Sequence, residues 1–545
     1  MQKSLLAQLT FSALIVGGVV SSALADLQGT GQWTSITDPN HLWPEVPIHA
    51  HLIPVNSKQG QVLFWGRGYP RNSGDSQTNP VKPYFWDYKD PTPASFTPAP
   101  VPSGYNAFCS GHAFLAGGKL LVAGGHDGGS DQGLTTAKKF NPQTLSWELL
   151  TDMNARWYPT VTALPDGGAL VISGTNTIMT SVDPELTPQV LPYNAISGTP
   201  WRDLTEADMN VFAKYYPFMF VAPPAPSPSD YRVFVAGPGK KTGFLNTVSG
   251  GWGPFISPLW TAARNWGSAV MYLPGKILVM GGADCDFYAS CLPVKTSVKI
   301  DLTAPSPTWT NAGDMAGPRK LHTATILANG KVLVTGGRRD MAGPKAIAPP
   351  PTPGGDAAVE CEIWDPSGNG SWSLRANLPK YRGYHSIALL LPDATVLSAG
   401  GDHAGGGYSQ SDDDDRTAEI FKPGYFFSHN TPMESFRPTI TSVPTAGINY
   451  NQSFQVGFTV SDQLKTITKV NLVAVGSVTH GFNMGQRFVP LSFPTPPPGN
   501  GTLTVTAPHD ENEAPPGYYM LFIFDSTSNM GGVPSVAKFV KVNLP

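Results

Sequence analysis

Residues 110–125 read "SGHAFLAGGKLLVAGG": an apolar strand, a glycine turn, a second apolar strand and a closing glycine pair. The phrase returns as "HLIPVNSKQGQVLFWG" (51–66), "PTVTALPDGGALVISG" (159–174), "YPFMFVAPPAPSPSDYRVFVAG" (216–237), "GSAVMYLPGKILVMGG" (267–282), "HTATILANGKVLVTGG" (322–337) and "HSIALLLPDATVLSAGG" (385–401). That makes seven copies in all. Their glycines recur at intervals scattered around the ~50 residues of kelch repeats, and a single hairpin cannot bury both of its faces. Radial stacking about an axis solves this and leaves only short edges. The sequence therefore predicts an all-β chain whose residues from about 30 to 430 form a seven-bladed kelch-type β-propeller, in a domain spanning 26–435.

The rest of the chain fits that frame. With 545 residues and 41% hydrophobic content it can bury a large core in more than one domain. A net charge of -3 offers no basic surface for nucleic acid or anionic lipid, so those partners are not expected. Charged residues make up only 14%, whereas 58 glycines and 54 prolines suit short strands and tight turns. The start "MQK", the apolar "LIVGGVV" and the small residues Ala23 and Ala25 read as a secretory signal peptide over 1–25. The mature protein is then extracellular or periplasmic, with no membrane span, because no later segment has the ~18 apolar residues required.

Export places the four cysteines in an oxidising compartment. Cys285 and Cys291, in "DCDFYASC", are close enough to close a small disulfide loop. Cys361 reads as a buried strand thiol and Cys109 is left over.

Beyond "AEIFKPGYFF" the hairpin phrase stops. Strands such as "SFQVGFTV", "TKVNLVAV" and "GTLTVTA" predict a C-terminal immunoglobulin-like β-sandwich over 436–545. Within it, "VGSVTHGFNMGQRFVPL" sets His480 among turn-forming residues, at a loop or hairpin end that can enter the channel of the propeller.

Aligning the copies on turn and closing glycine defines a column just before each hairpin. Cys109, Tyr158, Trp266 and Leu321 occupy it, with Tyr216 in the irregular fourth copy and Ala50 in the first. One extra residue in the seventh turn places Tyr384 there too. Equivalent positions in a propeller form a ring, so Cys109, Tyr158 and Tyr384 should converge at one mouth of the channel. His51, His322 and His385 share the next column, so a histidine there is partly a feature of the repeat.

These segments resemble the galactose oxidase and glyoxal oxidase group of copper radical oxidases. The resemblance runs through "FCSGHAFLAGGKLLVAGG", "ARWYPTVTALPDG", "YYPFMFVAP", "RGYHSIALLLPD", "VTHGFNMGQRFVPL" and "PPGYYMLFIFDS" followed by "GVPSVAKFVKV", and "WYP" and "YYPF" look closer to the glyoxal oxidase branch. It implies one copper ion held by Tyr158, Tyr384, His385 and His480. It also implies a thioether joining Cys109 to Tyr158 as a protein-derived radical cofactor, with Tyr384 as the base. Galactose oxidase stacks a tryptophan over its cross-linked tyrosine, and here "ISGTN" places Asn176 at that position.

The chemistry of the residues agrees with these roles. Two imidazoles and anionic oxygens suit Cu(II), and a bound cation lowers a phenol's pKa. Oxidising an alcohol or hydrated aldehyde takes two electrons, while Cu(II) accepts one, so a second redox group is needed, which a tyrosyl radical supplies. The expected function is a secreted monomeric oxidase of small aldehydes or primary alcohols that uses O2 and releases H2O2. The alternative is a non-catalytic protein that binds carbohydrate or cell-wall polymer, although such a module needs no cysteine beside tyrosine.

Three further features carry less. "SDDDDR" (411–416) reads as a solvated acidic loop before a cation site, His49 and His51 as strand packing before a metal pair, and "PKAIAPPPTPGG" (344–355) as an irregular surface insertion.

Overall fold

The computed structural model describes residues 26–37, 42–67, 80–90, 95–126, 132–177, 184–207, 213–223, 232–285, 291–339, 356–401, 415–526 and 531–545. The signal peptide, the Pro-rich insertion up to Gly355 and the acidic run up to Asp414 lie outside them. Seven antiparallel sheets follow one another along the described chain, each led by one of the predicted hairpins. Their innermost strands are His49–Leu52, Gly111–Phe114, Thr160–Ala163, Met219–Val221, Ser268–Leu273, Thr323–Ile326 and Ser386–Leu390. The alternation of apolar strand and glycine turn is thus read correctly as seven blades.

The seventh blade takes its outer strand from the start of the chain: Gln32–Ser35 pairs with Ala418–Lys422 in the register Gln32↔Lys422. Beyond the propeller, a three-stranded sheet and a four-stranded sheet enclose a core of their own that includes Val456, Leu472, Val505 and Leu521. One hairpin of this second unit leaves its sheets. Its strand Ser477–Thr479 pairs with His49–Leu52 of the first blade (His49↔Thr479, His51↔Ser477), which makes that blade six-stranded. This is the hairpin the sequence expects to carry His480 into the channel.

A buried arginine precedes four of the blades, in "RWYP", "RNWG", "RKLH" and "RGYH". Arg156, Arg264, Arg319 and Arg382 each donate to the carbonyl that closes their own hairpin, Ser173 (2.8 Å), Gly281 (3.2 Å), Gly336 (3.2 Å) and Gly400 (2.8 Å). In return, the amides of Gly125, Gly282 and Gly337 in the preceding blades donate to the carbonyls of Arg156, Arg319 and Arg382. These arginines therefore lock neighbouring blades together from within, a recurring signal that the alignment on glycines passes over.

Arg319 also pairs with Glu362 at 2.6 Å, both side chains being almost wholly buried. Glu362→Ala leaves that guanidinium without its countercharge inside the core. It should cost about 3–5 kcal/mol, read as a lower urea midpoint at unchanged slope.

Candidate metal and radical centre

The column before each hairpin has a backbone signature. Cys109 (φ 63°), Tyr158 (66°), Tyr216 (41°), Trp266 (62°) and Leu321 (62°) are all left-handed, a conformation that non-glycine residues enter at a cost on the order of 1 kcal/mol each. From these turns the rings of Tyr158 and Tyr216 come within 4.6 and 5.1 Å of the His480 ring. Adjacent members are linked through the backbone: Tyr158 N–H donates to Cys109 O (3.0 Å), Tyr216 to Tyr158 (2.9 Å) and Leu321 to Trp266 (2.6 Å).

Two members of the column differ from the expectation. In the seventh blade the left-handed residue is His385 (φ 65°), not Tyr384. The turn Leu390–Val396 is no longer than Ile326–Val332, so the extra residue does not lie there. It lies between Arg382 and the strand, where Ser386 N–H closes a tight turn on Gly383 O. That insertion brings both Tyr384 and His385 to the axis. In the first blade His49 pairs with Trp65 across a longer hairpin that holds the turn Asn56–Lys58, and the ladder puts Pro47, not Ala50, in the column. Ala50 instead sits mid-strand between Phe64 and Val478.

Cys109, Tyr158, Tyr384, His385 and His480 meet at this mouth, all buried. The Tyr158 and Tyr384 hydroxyls are in hydrogen-bond contact. The His480 ring centre lies 4.6 Å from Tyr158, 5.6 Å from Tyr384 and 4.6 Å from His385, and Tyr384 stacks on His385 at 3.8 Å. The Cys109 side chain is within hydrogen-bonding reach of Tyr158. Burial, followed by the nearby Cys109, Tyr384 and Tyr216, pushes the Tyr158 phenol well above its ordinary pKa, so a cation is needed to hold it as phenolate.

Thr479 fixes the His480 tautomer. Its hydroxyl donates to Ile48 O (2.9 Å), so toward His480 Nδ1 (2.6 Å) it accepts. The proton then resides on Nδ1 and Nε2 carries the lone pair, as a metal ligand requires. Among the described residues no group of three His, Cys, Asp or Glu is placed to hold a metal. What converges is two imidazoles with two phenols, a donor set that fits Cu(II). A cleft lined by Tyr215, Tyr216, Asn265, Trp266 and Phe482 adjoins the centre at His480.

Residues 437–542 match the family described as Galactose oxidase-like, Early set domain, and residues 112–154 match the Kelch motif. The chain is 28% identical to the galactose oxidase of Gibberella zeae, over 96% of this chain and 72% of the relative. It is also 28% identical to the aldehyde oxidase GLOX of Vitis pseudoreticulata, over 80% of this chain and 82% of that one. The chain is a homologue of the galactose and glyoxal oxidases. A solved structure described as a "novel fungal alcohol oxidase with catalytic diversity among the AA5 family, in complex with copper" superposes with a TM-score of 0.73, covering 94% of this chain and 100% of that one. At 22% identity that likeness establishes the shared fold.

For a homologue of these oxidases the surroundings of Tyr158 are informative. Trp157, the preceding residue, stacks on its ring at 4.1 Å and 16°. Tyr216 covers the other face at 4.7 Å and 23°. The stacking tryptophan that Asn176 does not provide is thus supplied by the chain neighbour of the tyrosine itself. Arg67, which no motif singles out, makes a 2.9 Å contact from Nη2 to His385 Nδ1 and lies over the Phe108 ring. Cys285 and Cys291 are disulfide-bonded, and Cys361 is buried, its thiol pKa pushed up to about 12 by burial.

Proposed function

We propose that the chain is a copper radical oxidase that converts small aldehydes, as their hydrates, or primary alcohols, with O2 reduced to H2O2. The observation that carries this is the convergence of Tyr158, Tyr384, His385 and His480 with Cys109 held against Tyr158. Tyr158, Tyr384, His385 and His480 would hold copper, which supplies one-electron chemistry between its +2 and +1 states.

The chain supplies the rest. Tyr384 Oη, as phenolate, accepts the substrate hydroxyl proton. The Tyr158 ring, oxidised by one electron, takes the hydrogen atom from the substrate carbon. A thioether from Cys109 spreads the unpaired electron and lowers the cost of that oxidation, and Trp157 and Tyr216 cover both faces of the ring against solvent and side reactions. Substrate approaches through the cleft beside Trp266 and Tyr215, whose aromatic walls suit small, weakly polar molecules. The Cys285–Cys291 disulfide supports an exported enzyme.

The test is copper loading in air, followed by peptide mapping under reducing conditions and a peroxide assay over a panel of aldehydes and alcohols. The expected result is one cross-linked species carrying Cys109 and Tyr158, lighter by two hydrogens, together with turnover. Cys109→Ser should keep copper, form no cross-link and lose on the order of a hundredfold or more in turnover, about 2.7 kcal/mol of barrier. Unlinked peptides in fully active enzyme would overturn the radical reading.

A further inference from the structure

Three histidines beside the centre take no part in the chemistry above. His49, His51 and His112 are wholly buried. Cys109 N–H donates to His49 Nε2 at 3.1 Å, and His49 Nδ1 meets His112 Nε2 at 3.1 Å. His112 Nδ1 meets Ser477 Oγ at 2.7 Å, and Ser477 Oγ meets His51 Nδ1 at 2.9 Å.

The sense of this chain is set at one end, because a backbone amide can only donate. His49 accepts at Nε2, so its proton is on Nδ1 and is given to His112 Nε2. His112 then carries its proton on Nδ1 and gives it to Ser477, whose hydroxyl also meets His51 Nδ1. Every link is consistent with neutral rings, and burial lowers the pKa of all three, that of His112 to about 3.

The ring of left-handed residues explains why Cys109 needs such a partner. Tyr158, Tyr216 and Leu321 give their amides to the carbonyl of the preceding ring member. The amide of Cys109 goes to a side chain instead, and the ring member before it, in the first blade, is Pro47. His49 thus stands where a backbone carbonyl does elsewhere.

We propose that His49 is a positioning residue that holds the left-handed Cys109 turn so that Sγ faces the Tyr158 ring, and that His112 and Ser477 fix its acceptor face. This rests on the cross-link proposed above. In that step the Cys109 S–H and one ortho C–H of Tyr158 are lost and an S–C bond forms. The two electrons and two protons pass to O2, giving H2O2. Because Ser477 belongs to the C-terminal hairpin, the chain also ties the alignment of Cys109 to the docking of that hairpin.

The experiment follows thioether formation over time by peptide mass after copper addition in air, with copper stoichiometry measured separately. His49→Gln puts an amide oxygen near the position of Nε2, while His49→Leu fills similar volume without an acceptor. The Leu variant should bind one copper and cross-link about tenfold more slowly, with the Gln variant within about threefold of wild type, the scale of one buried hydrogen bond. Ser477→Ala, two histidines away, should slow cross-linking about threefold through loss of the fixed tautomers. Equal rates for Leu, Gln and wild type overturn the role of His49, and an unchanged rate in Ser477→Ala overturns that of the chain behind it. A wild-type protein that binds copper but never cross-links overturns the proposed cofactor itself.

Discussion

His480→Ala should abolish stoichiometric copper binding and, with it, turnover. His480 reaches the centre on a hairpin that pairs with the first blade, and its own backbone is left-handed (φ 50°). Thr479 holds its proton on Nδ1, so the ring is already in its ligating tautomer before metal arrives. Residues that only orient a ligand are worth roughly 10–100-fold in metal affinity, and deleting the ligand itself should exceed that. Titration with copper under anaerobic conditions reads the affinity directly. Full copper with full turnover in the variant would mean that the hairpin is structural alone.

Tyr384→Phe should leave the fold and the stacking on His385 in place while removing the phenolate proposed to accept the substrate proton. General-base removal lowers rates by roughly 10²–10⁴-fold, and turnover at saturating substrate should fall within that range. The Tyr158 hydroxyl also loses its contact with Tyr384, so the variant should shift the phenolate-to-copper absorption while His385 and His480 still retain metal. A fall confined to KM would place Tyr384 in binding and outside the proton transfer.

The fold was legible because the hairpin is a local unit: strand, turn and closing glycine lie within one short window, and seven repeats of it admit few architectures. Cys109 and Tyr158 were legible for the same reason, since a column of equivalent turns becomes a ring in space, whereas the roles of His385 and His480 came only with the resemblance, His480 lying on a hairpin outside the repeat. Tyr384 and His385 were aligned one residue out of step because glycine counting cannot distinguish an insertion in the turn from one before the strand, and the outcome is visible only in which residue turns left-handed. Pro47 was missed because the first hairpin is longer than the others. The partners of His49, His112 and Trp157 were beyond reach for another reason. They depend on side-chain directions and on Ser477, more than four hundred positions from His49 along the chain. The buried arginines were within reach, since "RWYP", "RNWG", "RKLH" and "RGYH" are plain in the sequence once the glycines no longer hold attention.

The closure of the seventh blade by Gln32–Ser35 has a consequence for biosynthesis. A chain threaded out from its N-terminus carries that strand unpaired until Ala418–Lys422 emerges, so the circle cannot shut before then. The hairpin bearing His480 comes later still. A product arrested between the two is therefore a ring without His480, and on the function proposed above it would lack a copper ligand.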